Sequence, residues 1–214
     1  MLRWLFFAAF VRPLVFLFLG LKVRGYEHLP IQGPALVVAN HNSHLDTVVL
    51  MSIFPLSSLP DLRAAAAADY WASGGFKAWF ASKIIGIVPV VRKRDGAKLS
   101  AQEVLEPIDS ALKAGRIVIF FPEGTRGEPE RLQDFKVGLG ILAKENPLVP
   151  VLPVYLYGLG KALPRGEALL VPQFVDAFVG APALFTGEVG PFVRHVQTTI
   201  EEMREGAGRD EVWE

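Results

Sequence analysis

His41 and Asp46 stand in the run Asn40-His41-Asn42-Ser43-His44-Leu45-Asp46, directly after the apolar stretch Ala35-Leu36-Val37-Val38-Ala39. A neutral imidazole is a base near neutral pH. A carboxylate on its far ring nitrogen fixes the tautomer and steadies the imidazolium formed when a proton is taken. The pair is equipped to activate a hydroxyl. Taken alone, the heptapeptide serves equally as a helix cap through Asn40, Asn42 or Ser43.

A second polar turn, Pro122-Glu123-Gly124-Thr125-Arg126, follows the apolar run Ile117 to Phe121. Gly124 permits close backbone approach, Thr125 offers a hydroxyl and an amide, and Arg126 presents a forked donor suited to phosphate. Glu123 could hold that arginine in position, or the two could form a plain surface pair. A third segment, Gly86 to Arg94, delivers Arg92, Lys93 and Arg94 at the end of an apolar strand. Three adjacent cations are either solvated or shared by an anion. There is no P-loop and no glycine-rich dinucleotide fingerprint. A metal reading of His41, His44 and Asp46 finds only His28 and His195 as further histidines and no cysteine, so no metal is expected. A serine hydrolase would need a GxSxG elbow, which the chain lacks.

Strands and helices must carry these turns. Continuous apolar runs predict strands at Ala35 to Ala39, Ile87 to Val91, Arg116 to Phe121 and Val151 to Tyr157, with shorter ones at Leu62 to Ala67 and Ala168 to Val171. Helical patterns fall between them at Thr47 to Ile53, Phe76 to Ile84, Ala101 to Ala114 and Val137 to Glu145, with a last one at Phe192 to Glu205. The alternation predicts an α/β fold: one mixed, mostly parallel sheet flanked by helices. Ligands of such sheets gather where strands end.

Lys+Arg and Asp+Glu both number 22, so the formal charge is zero and nothing global points to nucleic acid. Without cysteine, disulfides and thiol nucleophiles are excluded. The apolar fraction is 51 %, and much of it lies in Met1 to Leu21. Arg12-Pro13 should divide this run into two short helices, neither long enough to span a bilayer. Such a segment suits burial in one leaflet, with Arg3, Arg12, Lys22 and Arg24 at the headgroups. These basic residues precede any acidic one, which favours a cytoplasmic membrane face. The expected division is a membrane-associating segment over 1–24, an α/β domain over 25–205 and a flexible tail over 206–214.

Taken in order, these segments resemble the glycerolipid acyltransferase family. His41-x4-Asp46, preceded by Asn40, is similar to that family's HxxxxD motif. Gly86 to Arg92 resembles its GxxxxxR block, Phe121 to Arg126 its FPEGTR block, and Val149 to Val154 its VPxxPV block, while Phe135-Lys136-x-Gly138 resembles its FKxG. The resemblance runs from about Val23 to Gly158. It implies that His41 takes the proton from a lipid hydroxyl while Asp46 orients it, and that Arg92, Glu123, Gly124, Thr125 and Arg126 hold the acceptor's phosphate. The implied acceptor is a lysophospholipid such as 1-acyl-glycerol-3-phosphate, giving phosphatidic acid. The implied donor is acyl-CoA or acyl carrier protein, as a co-substrate and with no further cofactor. Pro89-Val90-Val91 and Ala65 to Trp71 depart from many members, and the latter looks more like a bacterial side branch of uncertain acceptor; with the N-terminal segment, the expected location is monotopic on the cytoplasmic face of a bacterial inner membrane. The alternatives are another lipid acceptor, or a membrane lipid-binding protein without catalysis.

Overall fold

The computed structural model describes residues 1–43, 45–68, 75–91, 93–94, 97–128, 131–162 and 174–209. Arg92, His44, the strand expected at Ala168 to Val171 and the end of the expected tail lie outside the described residues. A seven-stranded sheet forms the centre. Its strands are β1 (Lys22–Arg24), β2 (Ala35–Ala39), β3 (Leu62–Ala67), β4 (Ile87–Val90), β7 (Ile117–Phe120), β8 (Val151–Tyr157) and β9 (Asp176–Val179), and β5 (Lys93–Arg94) and β6 (Ala97–Lys98) form a separate hairpin. The order is β1-β9-β8-β2-β7-β3-β4. Every pairing in the sheet is parallel except β8 with β9. The expected mixed, mostly parallel sheet is what forms.

The apolar strands read as continuous runs because both faces are covered. Along β2, Ala35, Val37 and Ala39 enter one core with Val49, Leu50 and Met51, while Leu36 and Val38 enter the other with Ile108, Leu139 and Ile200. The first core is closed by α1 (residues 2–18) and α2 (Asp46–Ile53). The second is closed by α4 (Ala101–Lys113), α5 (Gly138–Glu145) and α7 (Val189–Arg209). Two further helical pieces are α3, over residues 75–85, and the short α6 (Leu159–Ala162). α7 runs to Arg209, beyond the expected boundary at Glu205.

Arg12-Pro13 does not divide the N-terminal segment. Pro13 takes helical angles, φ −55 and ψ −45, and π-type turns at Phe7–Val11 and Leu14–Phe18 flank it. Wider i→i+5 bonding makes room for a ring that lacks the N–H of a regular turn. One stripe of α1, Phe7, Val11 and Val15, is buried against the sheet together with Leu19, while Leu2, Leu5, Phe10, Leu14 and Leu17 stay exposed. No described helix is long and apolar enough to cross a membrane.

Two arginines expected to face outward turn inward instead. Arg12 donates from Nε to Ser52 O at 3.2 Å and from Nη2 to Phe54 O at 2.5 Å. Arg3 donates to Leu62 O at 2.8 Å and Ile85 O at 2.9 Å. The carbonyls at a helix C-terminus have no partner within the helix and carry the negative end of its dipole, so a guanidinium satisfies both demands. Arg12 thereby ties α1 to the far end of α2, the helix that begins at Asp46. Replacing Arg12 by Met keeps the aliphatic stem and removes the donors. The expected loss is about 1–3 kcal/mol of stability in urea unfolding, and an unchanged midpoint would rule out the capping role.

Candidate functional site

β2 and β7 lie side by side with Val38 opposite Phe120. His41 and Glu123 each stand three residues beyond that pair, so the two turns leave the sheet together. The chain departs from β2 through α2 on one face and from β7 through α5 on the other, which opens a crevice at the carboxyl edge between them.

Asn40 holds the end of β2. Its side chain donates to Leu156 O at 2.9 Å and accepts from Leu156 N at 2.7 Å, continuing the pairing with β8 through an amide in place of the backbone. His41 is fixed at both ends of its peptide unit: its N–H donates to Glu123 Oε1 at 3.0 Å, and its carbonyl accepts from Gly127 N at 2.9 Å. The Phe121 ring stacks on the imidazole, centroids 4.1 Å apart and planes inclined by 16°.

Asp46 is fully buried at the first position of α2. Its Oδ2 accepts from His41 Nδ1 at 2.9 Å, Asn42 N at 2.6 Å and Ser43 N at 2.8 Å. A carboxylate can only accept here, so the proton of a neutral imidazole sits on Nδ1 and the lone pair on Nε2. The ring is 21 % exposed. The result is an oriented base at a crevice whose supporting acid is out of solvent's reach. The heptapeptide is therefore more than a cap: its aspartate closes the turn and orients the histidine with one oxygen.

The second turn divides its expected labour. Thr125 is exposed and Arg126 half-buried on the loop, but Glu123 is buried. Its carboxylate accepts from the His41 N–H and so supports the backbone that carries the base. Burial pushes the Glu123 carboxyl from 4.5 up to about 7; the N–H groups of His41 and Gln133 oppose that rise, and Asp46 adds to it. Gly124 adopts φ +72, and a Cβ there would come within 2.7 Å of Lys136 Nζ. The lysine lies across the loop, anchored by its N–H to Pro122 O at 3.0 Å. Lys136, Phe121 and Asn40 are thus site residues to which sequence reasoning gave no contact. The FKxG segment was the available signal for the lysine. Among the described residues, no group of three or more His, Cys, Asp or Glu side chains gathers around a metal position.

A family model described as acyltransferase matches residues 20–157. A chloroplastic 1-acyl-sn-glycerol-3-phosphate acyltransferase of Arabidopsis thaliana is 31 % identical over 157 residues, 72 % of this chain and 40 % of its own length. The human 1-acyl-sn-glycerol-3-phosphate acyltransferase alpha is 34 % identical over 136 residues, 63 % of this chain and 44 % of its own length. The chain therefore spans less than half the length of these curated relatives. In overall fold it is similar to the crystal structure of the 1-acyl-sn-glycerophosphate acyltransferase PlsC of Thermotoga maritima, with TM-score 0.71 and 24 % identity over 91 % of this chain and 73 % of that one.

The raised Glu123 pKa makes stability depend on pH with a definite sign. Its contribution is fully present below about pH 4.5 and is lost as pH rises through about 7, because the unfolded chain then ionises a group that the fold keeps protonated. The loss is of order 3 kcal/mol. Glu123→Gln keeps an acceptor for His41 N–H and cannot ionise. Urea midpoints measured at pH 5.5 and pH 8 should fall with pH in the parent and flatten in the variant, whereas parallel slopes would contradict the assignment.

Proposed function

The chain belongs to the acyltransferase family, and from that premise we propose that it moves a fatty acyl group from an acyl thioester to the hydroxyl of a lysophospholipid. The proposed acceptor is 1-acyl-glycerol-3-phosphate and the product phosphatidic acid. The observation that carries this reading is the 2.9 Å contact between His41 Nδ1 and the buried Asp46. His41 Nε2 takes the proton of the acceptor hydroxyl as its oxygen attacks the thioester carbonyl carbon. The imidazolium that forms is stabilised by Asp46. The new C–O bond is made, the C–S bond breaks, and the proton passes from His41 to the leaving thiolate. The bound alcohol is itself the nucleophile, so no acyl-enzyme is required.

Thr125 and Arg126 on the exposed part of the second turn suit the acceptor's phosphate, with Arg92 assigned there by resemblance alone. Acyl-CoA and acyl carrier protein present the same thioester, and either serves as donor in this scheme. The similarity to relatives named 1-acyl-sn-glycerol-3-phosphate acyltransferases supports the choice of acceptor. The outer side of α1, with Leu2, Leu5, Phe10, Leu14 and Leu17 exposed, supports one-leaflet attachment at the cytoplasmic face of a bacterial inner membrane.

Incubating protein-bearing membranes with labelled acyl-CoA or acyl carrier protein and a panel of lyso-acceptors tests the assignment. Labelled phosphatidic acid is the expected product. His41→Ala should lower transfer by about 10²–10⁴-fold, the contribution of a positioned general base, while lipid binding persists. Transfer that survives the change intact would remove His41 from the mechanism. Asp46→Asn should lower kcat more than it raises KM, because it misassigns the ring's proton and leaves the acceptor's binding groups in place.

A further inference from the structure

Helix α3 has no task in this chemistry, yet it carries two exposed aromatic side chains. Phe76 is 73 % and Trp79 43 % exposed. Their rings stack at 5.6 Å. Phe76 also approaches Phe80 at 6.1 Å, Phe80 meets Phe6 of α1 edge-on at 5.5 Å, and Phe6 stacks on Phe10 at 6.2 Å. Ring contacts therefore link α3 to the outer side of α1 through the half-buried Phe80 and Phe6. Scattered apolar side chains on a surface need no explanation, whereas an apolar patch shared by two helices marks a contact.

The charge pattern selects the occupant. Lys77 and Lys83 of α3 are both exposed, and residues 75–85 contain no acidic residue. Phe76, Trp79 and Lys83 fall on one helical stripe, and lysine stems beside it can reach outward past the rings. Bulky aromatics with lysines and no carboxylates are what a helix lying in a membrane interface requires. Arg3 bonds Ile85 O and Leu62 O, which fixes the last turn of α3 at the amino edge of the sheet. The first turn, with Phe76 and Trp79, points back toward the carboxyl edge, where His41 stands.

We infer that α3 is a second lipid-contacting helix, placing Phe76 and Trp79 in the interface of a bilayer and Lys77 and Lys83 at its anionic headgroups, side by side with α1. This rests on the membrane reading above and extends it from the N-terminal segment to the body of the domain. A lipid acceptor then reaches the crevice along a surface that is itself seated in lipid.

The test is cosedimentation of the whole chain with vesicles of phosphatidylcholine alone or mixed with phosphatidylglycerol, with thermal unfolding of each variant as the folding control. Phe76→Ser with Trp79→Ser should weaken binding to both vesicles by more than about tenfold, the factor that one buried aromatic side chain carries. Lys77→Gln with Lys83→Gln should weaken binding only to the anionic vesicles, by about fivefold or more for each cation lost. In a chain whose other tryptophans, Trp4, Trp71 and Trp213, are replaced by Phe, brominated lipid should quench Trp79, a readout that does not need the double serine variant to fold. If the parent binds no vesicle, the membrane reading fails and this inference with it. If the parent binds, Leu5→Ser with Leu17→Ser abolishes binding, and Trp79 is neither needed nor quenched, the inference about α3 alone is overturned.

Discussion

One buried oxygen, Asp46 Oδ2, is the point through which the rest of the site is connected. It accepts from two consecutive backbone N–H groups and from the imidazole, so the conformation of the turn and the orientation of the ring are one event. Asp46 also opens α2, where a negative group meets the positive end of the helix dipole. At the other end of α2, Arg12 binds Ser52 O and Phe54 O. The helix that presents the supporting acid is thereby held by charge-matched contacts at both termini.

The same economy governs the second turn. A carboxylate three residues before an arginine could hold that arginine in position, and the β2–β7 register places Glu123 under His41, where it accepts from a backbone N–H. Its burial beside Asp46 is an energetic burden that the fold accepts in return for a fixed histidine backbone. With Glu123 turned inward, Thr125 and Lys136 stay exposed and Arg126 half-buried.

Much of this was readable in the chain. β2, β7 and β8 are continuous apolar runs, and their strand character follows from composition because both faces are buried, whereas β3, which carries Arg63, and the edge strand β4 are only partly buried. The pairing of His41 with Asp46 was readable because it is local. β1 and β9 were missed because they are three and four residues long, carry charged side chains and exist as strands only through each other and β8. The inward turn of Arg3 and Arg12 depends on carbonyls distant in sequence, and the accommodation of Pro13 depends on π-type turns, neither of which leaves a local pattern. Lys136 was visible as part of a motif, while its position over Gly124 follows only from the path of the loop between them.

The register of β2 on β7 also has a consequence in time. The carboxylate that accepts from the His41 N–H is 82 positions away in sequence, and the backbone that pairs with the Asn40 side chain is 116 positions away. Contacts of such separation require large loops to close before they form, which makes them late events in the folding of a parallel sheet. A nascent or partly folded chain already contains the His41-Asp46 heptapeptide, but it does not yet possess an aligned base or a crevice. The geometry of the site is therefore set by completion of the sheet's centre, so an incompletely folded chain has the residues of the turn without their arrangement.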